Sequence, residues 1–472
     1  MSFSRGPARS AFIDHNRPRN LRMSTKRIVV LGAGPAGVAV AIGLRRAGEE
    51  VLLVGEPRRF AAVEGVSARV LGALHKAGFA RAVRCFAPPS QRCVTWDGTR
   101  SRANWESLVD RQAFDRAALE DARSAGVRVV ADRIVSCVSA VSGHYVEVDH
   151  DGRRTTFEAD FVVEARGRAA PGQGSARVRG AETVSLLQYW VGPPATAGSA
   201  VESCADGWVW MAALPDGRRY LQLTLDVATA ALPPKRELGA FCRARFEAID
   251  AARPFLEGAE PVGEPHARTS TPVLQEDVVG HDWIRVGDAA MAVDPLSGNG
   301  IFQALSSALQ APAVIGTLLH DPDRAALARR FHQERIENLF FHFARIGRDF
   351  YAMESRWQDE PFWRTRRAWP DAQPIHPDTS AADLQVMRRP VVSDGRIVED
   401  EVVVTPGQPL GIWHVDGVRL APLVRALHAC GSQTSAEAVL RAALGGDATR
   451  AARVAAWLRE QGWLAGEPQE LP

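Results

Sequence analysis

Residues 27–56 read RIVVLGAGPAGVAVAIGLRRAGEEVLLVGE, and the fold turns on them. The β-branched run Ile28–Leu31 stops at Gly32, a helix-period stretch runs from Pro35 to about Ala47, and Val51–Val54 is a second short apolar run. Strand, glycine turn, helix, strand is a βαβ unit and predicts a parallel sheet. The turn itself, Gly32-Ala33-Gly34-Pro35-Ala36-Gly37, has the form G-x-G-x-x-G. Gly32 permits the tight bend, Gly34 lets a pyrophosphate approach the backbone, and Gly37 allows close helix–strand packing. The helix then points unsatisfied N–H groups at the phosphates. Glu56 ends the second strand, where a carboxylate accepts hydrogen bonds from a ribose. Dinucleotide binding by Gly32, Gly34, Pro35, Ala36, Gly37 and Glu56 is the first expectation.

A second motif, GDAAMAVDPLSGNGIFQALSSA (Gly287–Ala308), names the dinucleotide. It sets Asp288 after a strand, within reach of a sugar-alcohol hydroxyl. Gly298-Asn299-Gly300 then opens a long helix, whose positive N-terminal end favours a reduced, anionic flavin.

The 472 residues are 46% apolar and 24% charged, with a net charge of +2. That balance predicts a globular chain of several domains. It offers no basic face, so no nucleic-acid partner is expected. No window holds 18 consecutive apolar residues and no apolar segment opens the chain, so no membrane association and a cytoplasmic location are expected. The six cysteines are scattered without C-x-x-C spacing, which predicts reduced thiols and no metal site. Only three lysines occur: Lys26, Lys76 and Lys235. Residues 1–25 are arginine-rich with little apolar pattern and read as a disordered tail; Met23 is a second candidate start.

Helices are expected from about Ser67 to Lys76, from Arg111 to Ser124, and from about Gly300 as helical periodicity to about Trp357. Alternating segments at 133–149, 183–191, 206–214 and 219–226 predict a sheet separate from the parallel one. Residues 340–369 hold nine aromatics, read as packing of a long helix onto its neighbours or as a binding groove. After a linker at 370–379 come short strands at 390–392, 396–398 and 401–404, then three helices near 419–429, 434–443 and 448–461.

GAGPAG with Glu56, LVDRQAFDRAAL (Leu108–Leu119), EARGR (Glu164–Arg168) and GD…DPLSGNG follow one another as in the p-hydroxybenzoate hydroxylase-type flavoprotein monooxygenases and their tryptophan-halogenase relatives. The resemblance covers about residues 27–350. It implies FAD, with Arg111 contacting the cofactor, Asp288 holding the ribitol or ribose chain, and Pro295, Gly298, Asn299, Gly300 and Ile301 bordering the isoalloxazine. The family's second glycine turn usually carries Thr or Asp where this chain has Arg166. With one dinucleotide fold visible, NAD(P)H docks transiently or a separate reductase supplies reduced flavin.

The expected architecture is α/β. A Rossmann-like FAD domain (26–182 and 276–370) carries an inserted mixed or antiparallel β-sheet substrate domain (183–275). A small C-terminal winged-helix-like α+β domain (371–472) binds a partner.

Halogenases of this group pair W-x-W-x-I-P with a directing lysine. Here Trp208-Val209-Trp210-Met211 lacks the early proline, and no lysine lies between Lys76 and Lys235, so hydroxylation is preferred. Hydroxylation through a flavin C4a-hydroperoxide needs O2 and an electron-rich ring, such as a phenol or an indole. Glu64, in AVEGVSARVL, resembles the acid that faces the flavin in relatives and is nominated as catalytic base, against a solvated glutamate. Trp208 and Trp210 share one strand face, as do Gln188 and Trp190; either pair lines the substrate pocket or fills the core.

A monooxygenase core with a partner-binding appendage resembles the flavoproteins that build protein-derived tryptophylquinones. That likeness implies a polypeptide substrate: a peptidyl tryptophan in the small subunit of quinohemoprotein amine dehydrogenase, on the way to its CTQ cofactor. The alternatives are a small-molecule aromatic hydroxylase or halogenase, and a non-catalytic FAD-binding assembly factor.

Overall fold

A computed structural model of the protein describes residues 26–58, 60, 62–172, 177–298, 300–430 and 435–464. The tail read for 1–25, and Asn299, lie outside the described residues. Ile28–Leu31 is buried throughout, as a strand covered on both faces must be. It pairs in parallel with Val51–Val54 on one side and Phe161–Glu164 on the other. Arg128–Val130 and Trp283–Arg285 complete a five-stranded parallel sheet. The chain winds outward from Ile28–Leu31 in one direction and returns beside it at Phe161–Glu164. This is the switch point where a doubly wound sheet opens a crevice. The turns at Gly32 and at Glu164–Arg168 both leave the sheet there.

Alternation along the first strand sorts the two cores. Ile28 and Val30 pack with the helices Pro35–Arg46, Arg111–Ser124, Gly300–Ala308 and Ala311–His320. Val29 and Leu31 pack instead on an antiparallel meander, Arg133–Ala140, Gly143–His150 and Arg153–Ala159.

The second layer is an eight-stranded mixed sheet. Its strands lie in the order Glu260–Thr269, Thr183–Val191, Arg218–Asp226, Gly207–Ala213, Gly198–Cys204, Ser90–Trp96, Thr99–Asp110 and Val63–Val66. The boundary expected at 183 is therefore crossed, since three strands come from residues 63–110. Their edge beside Gly198–Cys204 offered free backbone groups, and Ser90–Trp96 pairs there in parallel. The helix Leu238–Glu247 covers one face of this sheet through Leu238, Cys242 and Phe246. The other face turns toward the crevice.

The long helix expected from about Gly300, with helical periodicity recurring to about Trp357, is three helices, Gly300–Ala308, Ala311–His320 and Ala325–Ala352. Pro312 and Pro322 each lack the N–H that a continuous helix needs, and each sits in the opening turn of the element that follows the break. Gly300–His320 is apolar enough by composition to cross a bilayer, but 61% of its apolar window is buried inside the protein. The aromatic stretch 340–369 is mainly packing. Phe340 and Phe343 join Leu274 and Met291, while Tyr351, Phe362 and Trp363 enclose Trp208.

The strand expected at 390–392 runs Gln385–Ser393, those expected at 396–398 and 401–404 are one strand, Arg396–Thr405, and Gln408–Ile412, which was not expected, completes an antiparallel sheet. Helices Leu420–Ala429, Ala436–Ala443 and Ala448–Glu460 close a separate core around Val403, Leu423, Leu440 and Val454. This module is anchored by Ile397, a buried residue whose N–H donates to Thr317 Oγ1 at 2.8 Å.

Candidate active site

The phosphate turn is built by exclusion. A Cβ at Gly32, where φ is +112°, would meet the carbonyl of Ala165, and one at Gly37 would meet the carbonyl of Gly32. Gly34 differs: nothing lies within 4 Å of the position its Cβ would take. Gly34 is also the N-cap of the helix Pro35–Arg46, with no side chain capping it and Pro35 pre-set in the first turn. The open space in front of uncapped N–H groups is an anion cradle. Pro35 and Ala36 themselves are buried at its base, and Glu56 is exposed just beyond Val51–Val54.

The second turn closes the crevice. Arg166 folds back on Glu164, its backbone N–H and Nε each 3.0 Å from Glu164 Oε1. The arginine that replaces the family's usual Thr or Asp thus caps its own strand. Arg168 reaches further, donating to the carbonyls of Thr271 (2.6 Å) and Val293 (2.8 Å), with Nε 3.6 Å from Asp288 Oδ2. Burial pushes the Asp288 carboxyl up while Arg168 opposes it. A glycine cradle, a helix N-terminus and carboxylates at Glu56 and Asp288 form a donor set that fits FAD, with its phosphates on the helix and its sugar hydroxyls on the acids.

Arg111 opens the helix Arg111–Ser124 and is buried between two carboxylates. It bonds Glu64, and it holds Asp115 Oδ1 at 2.9 Å through Nη2. Burial works to lower its pKa, but Glu64 and Asp115 prevail and raise it. Glu64 is thus paired to Arg111 while its side chain stays 34% exposed, and it lies on a strand and does not lead a helix. It stands on Val63–Val66, and a Cβ on Gly300 would lie 4.0 Å from its Oε2. Gly298, at φ +62°, ends the 3-10 turn Pro295–Ser297. Ile301 is buried in the parallel-sheet core, so its side chain anchors this turn from behind and does not line the crevice. An apolar side chain one residue into a helix follows the core face, not the open one.

The eight-stranded sheet separates the two tryptophan pairs. Trp190 is buried against the covering helix, 5.5 Å from the Arg243 guanidinium, and Gln188 pairs opposite Leu221 on that same covered face. Gln188 and Trp190 thus leave the pocket and fill the outer core. Trp208 and Trp210 share the opposite face, but only Trp210 borders the crevice; Trp208, expected to line the pocket, is buried. Trp210 meets Tyr220 edge-on at 5.7 Å, and Tyr220 meets Tyr189 at 5.6 Å, which makes an aromatic wall. Burial, then the neighbouring Glu64 carboxylate, pushes the Tyr220 phenol up. Trp208 lies behind this wall, buried against Tyr351.

Sequence reasoning missed four residues here. Tyr220 and Tyr189 sit on strands already recognised, but their face was undetermined. Arg92 bonds Glu106 through Nε at 3.1 Å, and its guanidinium lies 3.5 Å from the point where a Gly298 Cβ would stand. Asp294 precedes Pro295 in the quoted motif, yet only the fold brings Tyr351 to it.

Residues 79–390 match the tryptophan halogenase family. A tryptophan 2-halogenase of Chondromyces crocatus is 27% identical over 379 residues, spanning 73% of this chain and 71% of its own. Among solved structures, QhpG, a peptidyl tryptophan dihydroxylase essential for tryptophylquinone cofactor biogenesis, is 52% identical. It covers 93% of this chain and 100% of its own, with a TM-score of 0.80. CmlS, a flavin-dependent halogenase, shares the fold at a TM-score of 0.75 and 18% identity, covering 96% of this chain and 98% of its own. With its FAD cradle, its crevice-facing aromatic wall and this match over most of its length, the chain belongs to the tryptophan halogenase family of flavin-dependent enzymes.

Proposed function

We propose that the protein hydroxylates the indole of a tryptophan held in a polypeptide, as a step in building a tryptophylquinone. The substrate we infer is the small subunit of quinohemoprotein amine dehydrogenase before its CTQ cofactor is complete, acted on in the cytoplasm. The observation that carries this reading is the 52% identity to a peptidyl tryptophan dihydroxylase along that protein's whole length, C-terminal module included.

The reaction balances with NAD(P)H as reductant. Ring C–H, O2, NAD(P)H and a proton give ring C–OH, water and NAD(P)+. Bound FAD, once reduced, supplies O2 in an electrophilic form. The chain's own residues do the rest. Gly34 and the helix behind it hold the phosphates, and Asp288 holds the sugar chain. Trp210, Tyr220 and Tyr189 offer edges and faces that orient an indole and exclude water. Glu64, aimed by Arg111, takes up the proton that leaves the ring carbon. A protonated ring carbon is a strong acid, so a carboxylate base suffices. The module after residue 371 carries its own core and is the candidate platform for the polypeptide.

Halogenation of a free aromatic is the second reading, favoured by the family match. Against it, Lys26, Lys76 and Lys235 are all solvent-exposed, and the guanidinium beside the Gly298 turn, Arg92, is engaged by Glu106. The two readings separate when NAD(P)H consumption is followed with the FAD-loaded enzyme. A tryptophan-bearing precursor of that small subunit is expected to stimulate consumption at least tenfold over free tryptophan, with or without halide. Stimulation by the free indole plus halide alone would overturn the proposal.

A further inference from the structure

Three residues far apart in the chain meet in the dry layer between the flavin turn and the sheet. Trp208 comes from the strand Gly207–Ala213, Asp294 from the residue before Pro295, and Tyr351 from the last turn of the helix Ala325–Ala352. The Tyr351 hydroxyl lies 3.0 and 3.1 Å from the two oxygens of Asp294, and Trp208 Nε1 lies 3.2 Å from that hydroxyl. All three side chains are buried.

The direction of this chain is forced by chemistry. An indole N–H only donates and an ionised carboxylate only accepts, so Tyr351 must receive from Trp208 and give to Asp294. The same Asp294 Oδ1 accepts the backbone N–H of Leu296 at 2.9 Å. One carboxylate therefore ties the turn Pro295–Ser297, which leads into Gly298 and Gly300, to the strand that also carries Trp210.

Packing alone does not require it. Phe362, Trp363, Trp357 and Leu296 surround the site, and a phenylalanine at 351 with an apolar residue at 294 would fill the same space without desolvating an acid. Burial pushes both the Asp294 carboxyl and the Tyr351 phenol up, and the Arg366 charge opposes it in each.

We propose that Asp294 and Tyr351 are positioning residues that lock the flavin-bordering turn to the aromatic wall through Trp208, so that cofactor site and ring site move as one body. The ring-site half of this rests on the function proposed above.

The test is FAD titration of Tyr351→Phe, Asp294→Asn and Trp208→Phe, with the visible absorption spectrum of the bound flavin recorded for each. Loss of one buried hydrogen bond of about 1 kcal/mol corresponds to about fivefold in affinity. Y351F and D294N are expected to weaken FAD binding about fivefold or more and to change the band structure of the bound flavin. W208F combined with Y351F is expected to be no weaker than Y351F alone. Phe362→Leu, which disturbs packing in the same cluster, is expected to lower the melting temperature and leave both flavin readouts as in the parent. The proposal is overturned if Y351F binds FAD within twofold of the parent with an unaltered spectrum, or if F362L moves both readouts equally. Should D294N fail to fold, Y351F removes only a hydroxyl and carries the test. Both readouts concern FAD alone, so their failure leaves polypeptide hydroxylation standing, and an inactive enzyme with these shifts leaves the lock standing.

Discussion

Gly32 and Gly34 stand two residues apart and answer to different demands. Gly32 is fixed by the fold itself, through its φ of +112° and the carbonyl of Ala165. Gly34 faces open space and has an ordinary φ of −79°. Gly32→Ala is expected to destabilise the FAD-free protein by about 1–3 kcal/mol, a cost set by backbone strain. Gly34→Ala is expected to leave its melting curve within about 1 kcal/mol, because alanine is only a poorer N-cap than glycine, and to weaken FAD binding tenfold or more. Thermal melts without FAD beside FAD titrations check both, and equal effects of the two variants on stability would contradict the assignment. These glycines were legible because their role is backbone geometry, which a local pattern records. Gln188 and Trp190 were not, because alternation distinguishes two faces of a strand without saying which one a distant helix covers. Leu238–Glu247 decides that, some 50 residues later in the chain.

At the level of elements, the βαβ opening and the helix Arg111–Ser124 could be read from periodicity, whereas the cap at Asp110, whose carboxylate accepts from the N–H groups of Gln112 and Ala113, was not singled out. The recruitment of residues 63–110 into the eight-stranded sheet was not legible. Strand pairing across 100 residues leaves no trace in either segment alone. The seat of the C-terminal module was hidden for the same reason. It depends on the Ile397 N–H meeting Thr317 Oγ1 in a buried seam. Thr317→Val keeps the shape and removes the acceptor, which leaves a buried donor unpaired at a cost of about 1–3 kcal/mol. Faster amide hydrogen exchange across 385–405 is expected, with FAD affinity unchanged. Unchanged exchange there would show that the module is held by its other contacts.

The molecule as a whole carries a buried histidine that links its acid stability to the joint between sheet and long helix. His332 is 1% exposed, and its Nε2–H donates to the carbonyl of Arg285 at 2.8 Å. Burial brings its pKa down to about 4. The unfolded chain takes up that proton near pH 6.5, so between about pH 6.5 and 4 the unfolded state binds more protons and stability is lost as the pH is lowered. The full cost below about pH 4 is about 3 kcal/mol, and above about pH 6.5 the group contributes no slope. His332→Gln keeps a donor and is expected to remove this slope. Urea midpoints of parent and variant between pH 7 and 4 should converge as the pH drops, and a constant gap across that range would contradict the linkage.

Under the function proposed above, the aromatic ring reaches the cradle and the crevice-facing wall as part of a polypeptide. The most direct test is intact-mass analysis of the small-subunit precursor after incubation with the FAD-loaded enzyme, NAD(P)H and isotopically labelled O2. Labelled oxygen at a tryptophan of the polypeptide, with free tryptophan and halide left unchanged in a parallel reaction, is the expected result. An unchanged precursor beside an oxidised or halogenated free indole would contradict it and assign the same architecture to a small-molecule reaction.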